Sequence, residues 1–294
     1  MHEFAVKLRG PIDLPGSLAW FSHWGDDLLA RWDGQVLTRT ARINHRCVPF
    51  ACMVSGTPTR PAMTVSVHAK QHIEPIRDLV AQMFLTAPTA FKRLTTTDST
   101  IAELDRQFPG IRPVLQVDPF TALIRSISAQ QVNLKWALTT RNRLAQTYGA
   151  KHRIGRTFVY GMEPQRVARA DLSDIRALQF TTTKSRSIQA VAQAMTSGPM
   201  DFDDLKGRND ERVIHQLTQL YGIGVWTAEW YLARTLGRPR VVAGDLGVRK
   251  AVGRAYLRGQ LPSEQEVRTI TGDWGAAAGI AQQLLLHALS HNAL

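Results

Sequence analysis

The stretch at residues 210–236 constrains the fold of this chain more than any other. Its first part carries apolar side chains at helical spacing, at Val213, Ile214, Leu217 and Leu220. Such a stripe is typical of an amphipathic helix. The next four residues, Tyr-Gly-Ile-Gly at 221–224, predict a tight turn, because glycine adopts positive φ without a steric penalty. A second helix is predicted at 225–236, where a glycine and a proline follow closely.

Two helices joined by such a turn expose unpaired backbone N–H groups at the start of the second helix. These groups and the helix dipole together favour the binding of a phosphate. We predict that Gly222, Gly224 and Thr227 form this phosphate site. A dinucleotide-binding fingerprint is excluded, since it requires glycine where Thr227 stands and a strand in place of the first helix. Nineteen residues after Trp226, Asp245 stands at the predicted N-cap of a further helix.

The charge of the chain is strongly positive and unevenly distributed. Its 294 residues, a length that predicts two or three domains, carry a formal net charge of +12. Residues 1–88 contain nine Lys or Arg and seven Asp or Glu, whereas residues 89–294 contain 27 and 17. The excess therefore lies in the part with the hairpin. It favours a polyanionic partner, either nucleic acid or an acidic membrane surface.

Membrane, secretory and metal-dependent classes are disfavoured by the sequence. No run approaches ~18 apolar residues, so we expect no membrane-spanning segment. The N-terminus lacks the pattern of a secretory signal. Cys47 and Cys52 form a single Cys-x4-Cys pair, which is a poor zinc site, so we expect no metal and interpret both as small side chains in a strand. Residues 53–294 hold no cysteine that could ligate an iron–sulfur cluster.

Two motifs together point to a known family. The segment 217–228 has the pattern L-x-x-L-x-G-I-G-x-W-T-A, and Gly-Asp-Leu-Gly-Val-Arg follows at 244–249. They resemble the helix-hairpin-helix DNA glycosylase superfamily, and within it the AlkA type of DNA-3-methyladenine glycosylase II. The resemblance implies an α+β protein: an N-terminal mixed α/β domain with an antiparallel sheet, followed by a two-lobed all-α core.

The resemblance also implies domain boundaries. An N-terminal domain at 1–88 precedes a lobe at 119–238 that carries the hairpin, and a second lobe is built from 89–118 and 239–294. A Thr- and Pro-rich stretch at 86–100 is interpreted as the joint between domains. In the first domain, residue patterns predict strands around 4–8, 36–43, 47–54 and 63–67 and helices at 14–25 and 73–85.

Two further DNA contacts are implied by the family pattern. The helix predicted at 119–131 matches the family's P-F-x-x-L-h-R-x-I-x-x-Q-Q segment (h, hydrophobic), and Gln131 is the position that wedges into the duplex as the damaged nucleotide leaves. From the residues alone, Gln130 and Gln131 cap a helix–helix turn equally well. Lys184, at the start of a helix predicted at 181–195, matches a turn that lies near the bound backbone in the family, and we expect it to contact a second phosphate.

The resemblance assigns the chemistry to Asp245. Breaking an N-glycosidic bond builds positive charge on the sugar, which a carboxylate stabilises electrostatically and toward which it can direct a water molecule. An alkylated purine leaves already cationic, so one carboxylate suffices where ordinary glycosidases need two. Outside this family context, an Asp at a helix start is most often only a cap.

Three tryptophans are the predicted walls of a base pocket. Trp226 and Trp230 are four residues apart and share a helical face. Trp274 matches a tryptophan that lines the pocket in the family, although Gly275 follows it where the family usually has arginine. Indole rings attract cationic purines through cation–π interactions. The alternative interpretation is that these residues are ordinary core.

One position separates two reaction types. Superfamily members that also cleave the abasic strand carry lysine two residues after the second hairpin glycine, where Trp226 stands. The resemblance therefore implies a monofunctional glycosylase that flips alkylated bases such as 3-methyladenine and 7-methylguanine out of double-stranded DNA, excises them in base excision repair and leaves an abasic site. The alternatives are a non-catalytic hairpin protein that binds DNA or lesions, and a glycosylase for oxidised or deaminated bases.

The same resemblance sets expectations for partners and location. Damaged double-stranded DNA is the expected partner, with no membrane, and the protein is expected to act as a monomer. No cofactor is expected apart from a monovalent cation, which the hairpin carbonyls bind in relatives. In a bacterium the protein would be cytoplasmic and nucleoid-associated.

Overall fold

The computed structural model describes residues 1–198 and 200–294 and begins with a five-stranded antiparallel sheet. The strands are β1 (His2–Lys7), β2 (Ala30–Trp32), β3 (Val36–Ile43), β4 (Arg46–Thr57) and β5 (Arg60–Val67), in the spatial order β1-β5-β4-β3-β2. Helices α1 (Leu14–Leu18) and α2 (Ile73–Ala81) flank them. Alternate residues of β5 are buried, as period-2 patterning requires. The predicted N-terminal domain with an antiparallel sheet is confirmed.

Most of the stretch at 86–100 is helical, which the interpretation as a Thr- and Pro-rich joint did not predict. It forms α3 (Pro88–Thr97) and the start of α4 (Ser99–Gln107). Pro88 occupies the first helical position, and the Asp98 carboxylate accepts a hydrogen bond from the Ile101 N–H as the cap of α4. The threonine hydroxyls at 95–97 donate to helix carbonyls, which lets a threonine run remain helical.

The rest of the chain is mostly helical. It contains α5 (Pro119–Ala129), α6 (Leu134–Tyr148), β6 (Gly149–Ile154), β7 (Thr157–Met162), α7 (Pro164–Ala168), α8 (Leu172–Ala177), α9 (Thr182–Ser197), α10 (Asp210–Thr218), α11 (Val225–Arg234), α12 (Leu246–Tyr256), α13 (Glu264–Ile270) and α14 (Ala278–Ser290). The helical core that the family pattern implied is confirmed. None of the helices in the described part of the chain is both long and apolar enough to cross a membrane.

The β6–β7 hairpin corrects the expectation of an all-α core. Its strands pair around a two-residue loop that begins with Gly155 at φ +56°, as in a type II′ turn. The hairpin packs on the N-terminal domain, where the Tyr160 N–H donates to the Leu28 carbonyl at 2.8 Å and Arg31 Nη1 donates to the Phe158 carbonyl at 2.9 Å. These hydrogen bonds attach β7 of the hairpin to the N-terminal domain.

Buried apolar residues form three clusters. One fills the space between the sheet and α2. A second is built almost entirely from 119–238 and contains α5, α9 and both hairpin helices. The third combines α3 and α4 with α12 and α14, which come from distant parts of the sequence. We propose that these clusters are the cores of three domains with the boundaries expected from the family pattern.

Candidate functional site

The turn between α10 and α11 has the geometry of an anion site. Gly222 has φ +72°, and a Cβ there would collide with Ser187 Oγ of α9, so only glycine fits. Gly224 is exposed and is the N-cap of α11, and no side chain caps that helix. The N–H groups of the first turn of α11 are therefore free to meet an anion. The phosphate role of Gly222 and Gly224 stays a prediction with suitable geometry.

Thr227 is not placed to contact a phosphate with its side chain. It is buried, and its hydroxyl accepts a hydrogen bond from Gln130 Nε2 at 3.1 Å. The same Gln130 nitrogen lies 3.3 Å from the Gly222 carbonyl. Gln130 therefore joins the turn after α5 to the hairpin. Sequence reasoning treated Gln130 only as a possible cap, because nothing local shows a partner 97 residues away.

Gln131 projects from the turn between α5 and α6. It is exposed and has φ +52°, an uncommon backbone conformation for a side chain other than Asn or Asp. Asn133 is the cap of α6 and accepts from the Trp136 N–H, so Gln131 is not needed for that role. Because Gln130 holds the base of this turn against the hairpin, the wedge and the phosphate site are mechanically connected. The wedge role of Gln131 stays a prediction.

Lys184 is buried, which contradicts its predicted role as a phosphate contact. Its ammonium group donates to the Ser128 carbonyl in the last turn of α5 at 2.9 Å. A cation at a helix C-terminus satisfies an unpaired carbonyl and opposes the helix dipole favourably. Lys184 therefore holds the end of α5 that precedes the wedge turn. Arg186, two residues further along α9, is exposed and stacks over the Tyr221 ring at 4.1 Å, next to the hairpin glycines, where it is open to a phosphate.

Replacing these two cations should separate a structural role from a phosphate role. We expect Lys184→Met to lower the melting temperature and to leave the salt dependence of DNA binding unchanged. Arg186→Met, the matched exposed control, should reduce the slope of log K against log salt by about 1, as one lost phosphate contact does. Binding titrations at several salt concentrations measure both slopes. A reduced slope in Lys184→Met would contradict the buried assignment.

Asp245 precedes α12, and the residue before it, Gly244, lies near Trp226. Its Oδ1 accepts a hydrogen bond from the Val248 N–H at 3.0 Å, which holds the carboxylate as the helix cap. Among the described residues, its other oxygen has no hydrogen-bond partner, and the residue is partly exposed. The Trp226 ring approaches within 3.6 Å of the position that a Cβ would occupy at Gly244. The structure thus places one predicted pocket wall near the residue that precedes Asp245, and the roles of both side chains stay predictions.

Buried polar side chains fix the loop that carries Asp245. From α14, Gln282 Oε1 accepts from the Val242 N–H at 2.7 Å, and Gln283 Oε1 accepts from Arg234 Nη1 at 2.7 Å. Burial lowers the pKa of Arg234 to about 10, while the negative charge of Asp245 acts in the opposite direction. Arg234 is therefore still a cation at neutral pH and is coupled electrostatically to Asp245. The sequence around Gln282, Gln283 and Arg234 contains no motif that would predict these contacts.

Glu229 links the tryptophan helix to the Asp245 loop. It lies on α11 between Trp226 and Trp230 and is almost completely buried. Its Oε1 accepts from Arg240 Nη2 at 3.0 Å and from Arg268 Nη2 at 2.9 Å. Arg240 belongs to the segment that leads to Asp245. This ion cluster was also invisible at the sequence level, since a Glu between tryptophans on a helix resembles a solvated residue.

Trp230 lies on α11 with Trp226, whereas Trp274 lies in the apolar cluster that combines α3, α4, α12 and α14. Trp230 is partly buried and packs against the core that contains α5 and α11. Trp274 is only 3% exposed, and its Nε1–H donates to Asp98 Oδ2 at 3.3 Å.

Trp274 also lies close to Tyr256, at 6.4 Å between ring centroids, and Tyr256 ends the 11-residue helix that Asp245 begins. At 1.5 Å per residue, that helix separates the two ends by about 16 Å. The Trp274 ring is buried and its N–H is used in the core of the second lobe, so its pocket role stays a prediction. Leu246, beside Asp245 and 53% exposed, is an apolar surface that the sequence interpretation missed.

Known DNA glycosylases are similar to this chain. Two curated proteins of Bacillus subtilis (strain 168) are similar to the chain. The putative DNA-3-methyladenine glycosylase YfjP is 25% identical over 177 residues, which is 60% of this chain and 61% of that protein. A DNA-3-methyladenine glycosylase is 26% identical over 188 residues, 63% of this chain and 62% of that protein. The matched region thus spans about three fifths of the length of these relatives.

The fold and a family model complete the comparison. The solved 3-methyladenine DNA-glycosylase from Archaeoglobus fulgidus has a TM-score of 0.86 and 22% identity, covering 97% of this chain and 98% of that one, which is a likeness of fold. Residues 124–276, more than half of the chain, match the model of the HhH-GPD superfamily of base excision DNA repair proteins. With the hairpin, the Asp245 cap and the fold in agreement, the chain belongs to the HhH-GPD superfamily.

Proposed function

We propose that this protein is a monofunctional DNA glycosylase that hydrolyses alkylated bases, such as 3-methyladenine and 7-methylguanine, from double-stranded DNA and leaves an abasic site. The observation that carries the proposal is the position of Asp245. One carboxylate oxygen is held by the start of α12, the other has no hydrogen-bond partner among the described residues, and the ring of Trp226 lies near the adjacent Gly244. An oriented carboxylate next to an indole wall suits a cationic nucleobase and a sugar that becomes cationic.

The reaction follows from these groups. The damaged nucleotide must leave the base stack, and a turn such as the one that carries Gln131 can fill the space it leaves. In the cleft, the Asp245 carboxylate stabilises the oxocarbenium character at C1′ and orients the attacking water. Because an alkylated purine is already positively charged, it departs without a second carboxylic acid. Trp226 contributes about 0.5 to 2 kcal/mol through attraction between its ring and that charge.

In this proposal, backbone N–H groups of the protein bind the DNA. The uncapped start of α11, with Gly222 and Gly224 exposed, binds a phosphate of the strand. The positive charge of residues 89–294 attracts the duplex without reading its sequence. The carbonyls of the turn also suit a monovalent cation between protein and phosphate. We propose that the protein acts as a monomer.

A strand-cleaving activity is not expected. A lyase needs an amine that attacks C1′, and Trp226 stands at the position that would carry it. We therefore expect borohydride to trap no covalent adduct with DNA that contains a damaged base or an abasic site. Gel separation of the trapped species measures this. An adduct that maps to a residue of the Asp245 cleft would contradict monofunctionality while leaving base release intact.

The decisive experiment is a base-release assay over a panel of lesions. Duplexes with 3-methyladenine, 7-methylguanine, hypoxanthine, uracil and 8-oxoguanine are incubated with the protein, and the freed bases are quantified. We expect release of the methylated purines above all others. Release of only uncharged bases would favour a glycosylase for oxidised or deaminated bases, and lesion binding without any release would favour a non-catalytic hairpin protein.

A further inference from the structure

Three side chains able to bind a metal converge between the N-terminal sheet and the β6–β7 hairpin. Cys47 lies at the start of β4, His152 lies on β6, and Glu163 directly follows β7. One ligand atom from each lies within 4.8 Å of the other two. The cluster joins positions more than a hundred residues apart, so the spacing of cysteines along the chain does not show it.

His152 and Glu163 are not committed to other contacts in the way that structural polar groups usually are, whereas the Cys47 thiol also has a hydrogen bond with Thr40. His152 Nε2 is buried and has no hydrogen-bond partner among the described residues. Glu163 is the N-cap residue of α7, yet its side chain accepts no capping hydrogen bond. Burying a polar atom without a partner costs about 1 to 3 kcal/mol, so such an atom in a native fold requires an explanation.

The backbone leaves room at the same place. Gly161 lies on β7, and a Cβ there would collide with Cys47 Sγ and lie 3.2 Å from His152 Nε2. The φ of Gly161 is not in the left-handed region, so its backbone does not itself demand glycine. The absent side chain instead opens the space that the thiol and the imidazole share.

We propose that Cys47, His152 and Glu163 bind one Zn²⁺ ion. A sulfur, a nitrogen and an oxygen donor form a set that suits zinc, whereas Mg²⁺ and Ca²⁺ prefer oxygen alone. Metal–ligand bonds of ~2.0 to 2.3 Å place tetrahedral ligands roughly 3.3 to 3.8 Å apart, so the three side chains need to close only slightly. A water molecule completes the four ligands. The proposal goes against the expectation of no metal that the Cys-x4-Cys pair suggested.

Protonation states fit this binding mode. Burial lowers the pKa of His152, and the negative charge of Glu163 only partly opposes this, so the imidazole is neutral and ready to ligate near neutral pH. Burial raises the pKa of Cys47 to about 12, so the thiol is protonated until the ion binds. Binding then releases one proton from Cys47. The resulting thiolate and the Glu163 carboxylate neutralise the charge of the dication.

The ion would add a connection between two parts of the protein that are also joined by strand packing, hydrogen bonds and ion pairs. Cys47 belongs to the N-terminal sheet, and His152 and Glu163 flank the hairpin that leaves α6 and enters α7. Such a link stabilises the attachment of the N-terminal domain to the hairpin lobe. It is far along the chain from Asp245, so the proposal is independent of the proposed function.

Metal titration of the full-length protein tests the proposal. Chelator-treated protein is titrated with Zn²⁺ by calorimetry and with Co²⁺ by absorption, and its melting temperature is recorded. We expect one Zn²⁺ per chain, a thiolate-to-cobalt absorption band and a higher melting temperature with zinc. Cys47→Ser should abolish the band, and His152→Gln or Glu163→Gln should weaken zinc binding by at least ~10-fold.

Cys52→Ser is the matched control. Cys52 is buried five residues further along β4 and faces the core of the sheet, opposite to Cys47. Its replacement should leave the stoichiometry and the cobalt band unchanged. No stoichiometric zinc binding by the wild-type protein would overturn the proposal regardless of how the variants fold. Binding that survives in Cys47→Ser but not in Cys52→Ser would overturn it as well.

Discussion

Asp245→Asn is expected to lower the rate of base release by about 10² to 10³-fold while DNA binding stays within a few-fold of wild type. Asparagine keeps the shape of the side chain and can still accept from the Val248 N–H, so the start of α12 should remain capped. What disappears is the negative charge that stabilises the sugar cation. Single-turnover kinetics on a methylated duplex and a binding titration with an abasic-site analogue measure the two effects separately.

The control for this substitution is Asp171→Asn. Asp171 is the exposed N-cap residue of α8, so the chemical change and the helix position are the same, but the site is different. We expect wild-type kinetics from this variant. If Asp245→Asn retained near-normal turnover, Asp245 would have no catalytic role and the carboxylate would be only a cap. A parallel loss in both variants would indicate a general charge effect.

Asp27→Asn is expected to destabilise the protein by about 3 to 5 kcal/mol. The Asp27 carboxylate is 3% exposed and pairs with Arg125 of α5 at 2.6 Å and with Arg141 of α6 at 3.0 Å. The Asp27 carboxylate therefore joins the N-terminal domain to α5 and α6, the two helices that flank the wedge turn. Removing the charge would leave two guanidinium groups buried without a counter-ion. Urea denaturation at neutral pH measures the loss.

Asp26→Asn is the adjacent control, and pH gives a second test. The Asp26 pair with Arg31 is 41% exposed on the carboxylate side, so its loss should cost no more than about 1 kcal/mol. Burial alone would raise the pKa of Asp27, but Arg125 and Arg141 outweigh it and hold the pKa below 3.8. The stabilisation is therefore complete above pH 3.8 and fades as pH falls through the lower folded pKa. Equal stability of both variants would contradict this account.

The features that sequence reasoning found share one property: each is local. The hairpin, the cap at Asp245 and the helix predicted at 119–131 depend on residues within a few positions of one another. The β6–β7 hairpin was missed although Gly155 carried a turn signal, because basic residues dominate that stretch. The 86–100 helix was missed because threonine and proline usually mark loops, and only burial of Phe91 and Leu94 shows otherwise.

Two predicted site residues have partners that are distant in the chain. Lys184 was expected to contact DNA, yet its ammonium group is used by the Ser128 carbonyl. Trp274 matched a pocket position, yet its indole N–H is used by Asp98, 176 residues away. Motif matching identifies which residue types a site needs. It does not show whether a given side chain already has a hydrogen-bond partner in the core.

By itself, the sequence determined the family, the helix-hairpin-helix unit and the position of the candidate carboxylate, because these rest on glycine conformations, caps and helical spacing. Only the tertiary structure decided that Lys184 and the Trp274 N–H have partners in the core, how Gln130 links the wedge turn to the hairpin, and that Cys47, His152 and Glu163 meet. The physical reason is burial. Whether a polar side chain is free for a ligand depends on the partners that folding brings to it, and those lie many residues away.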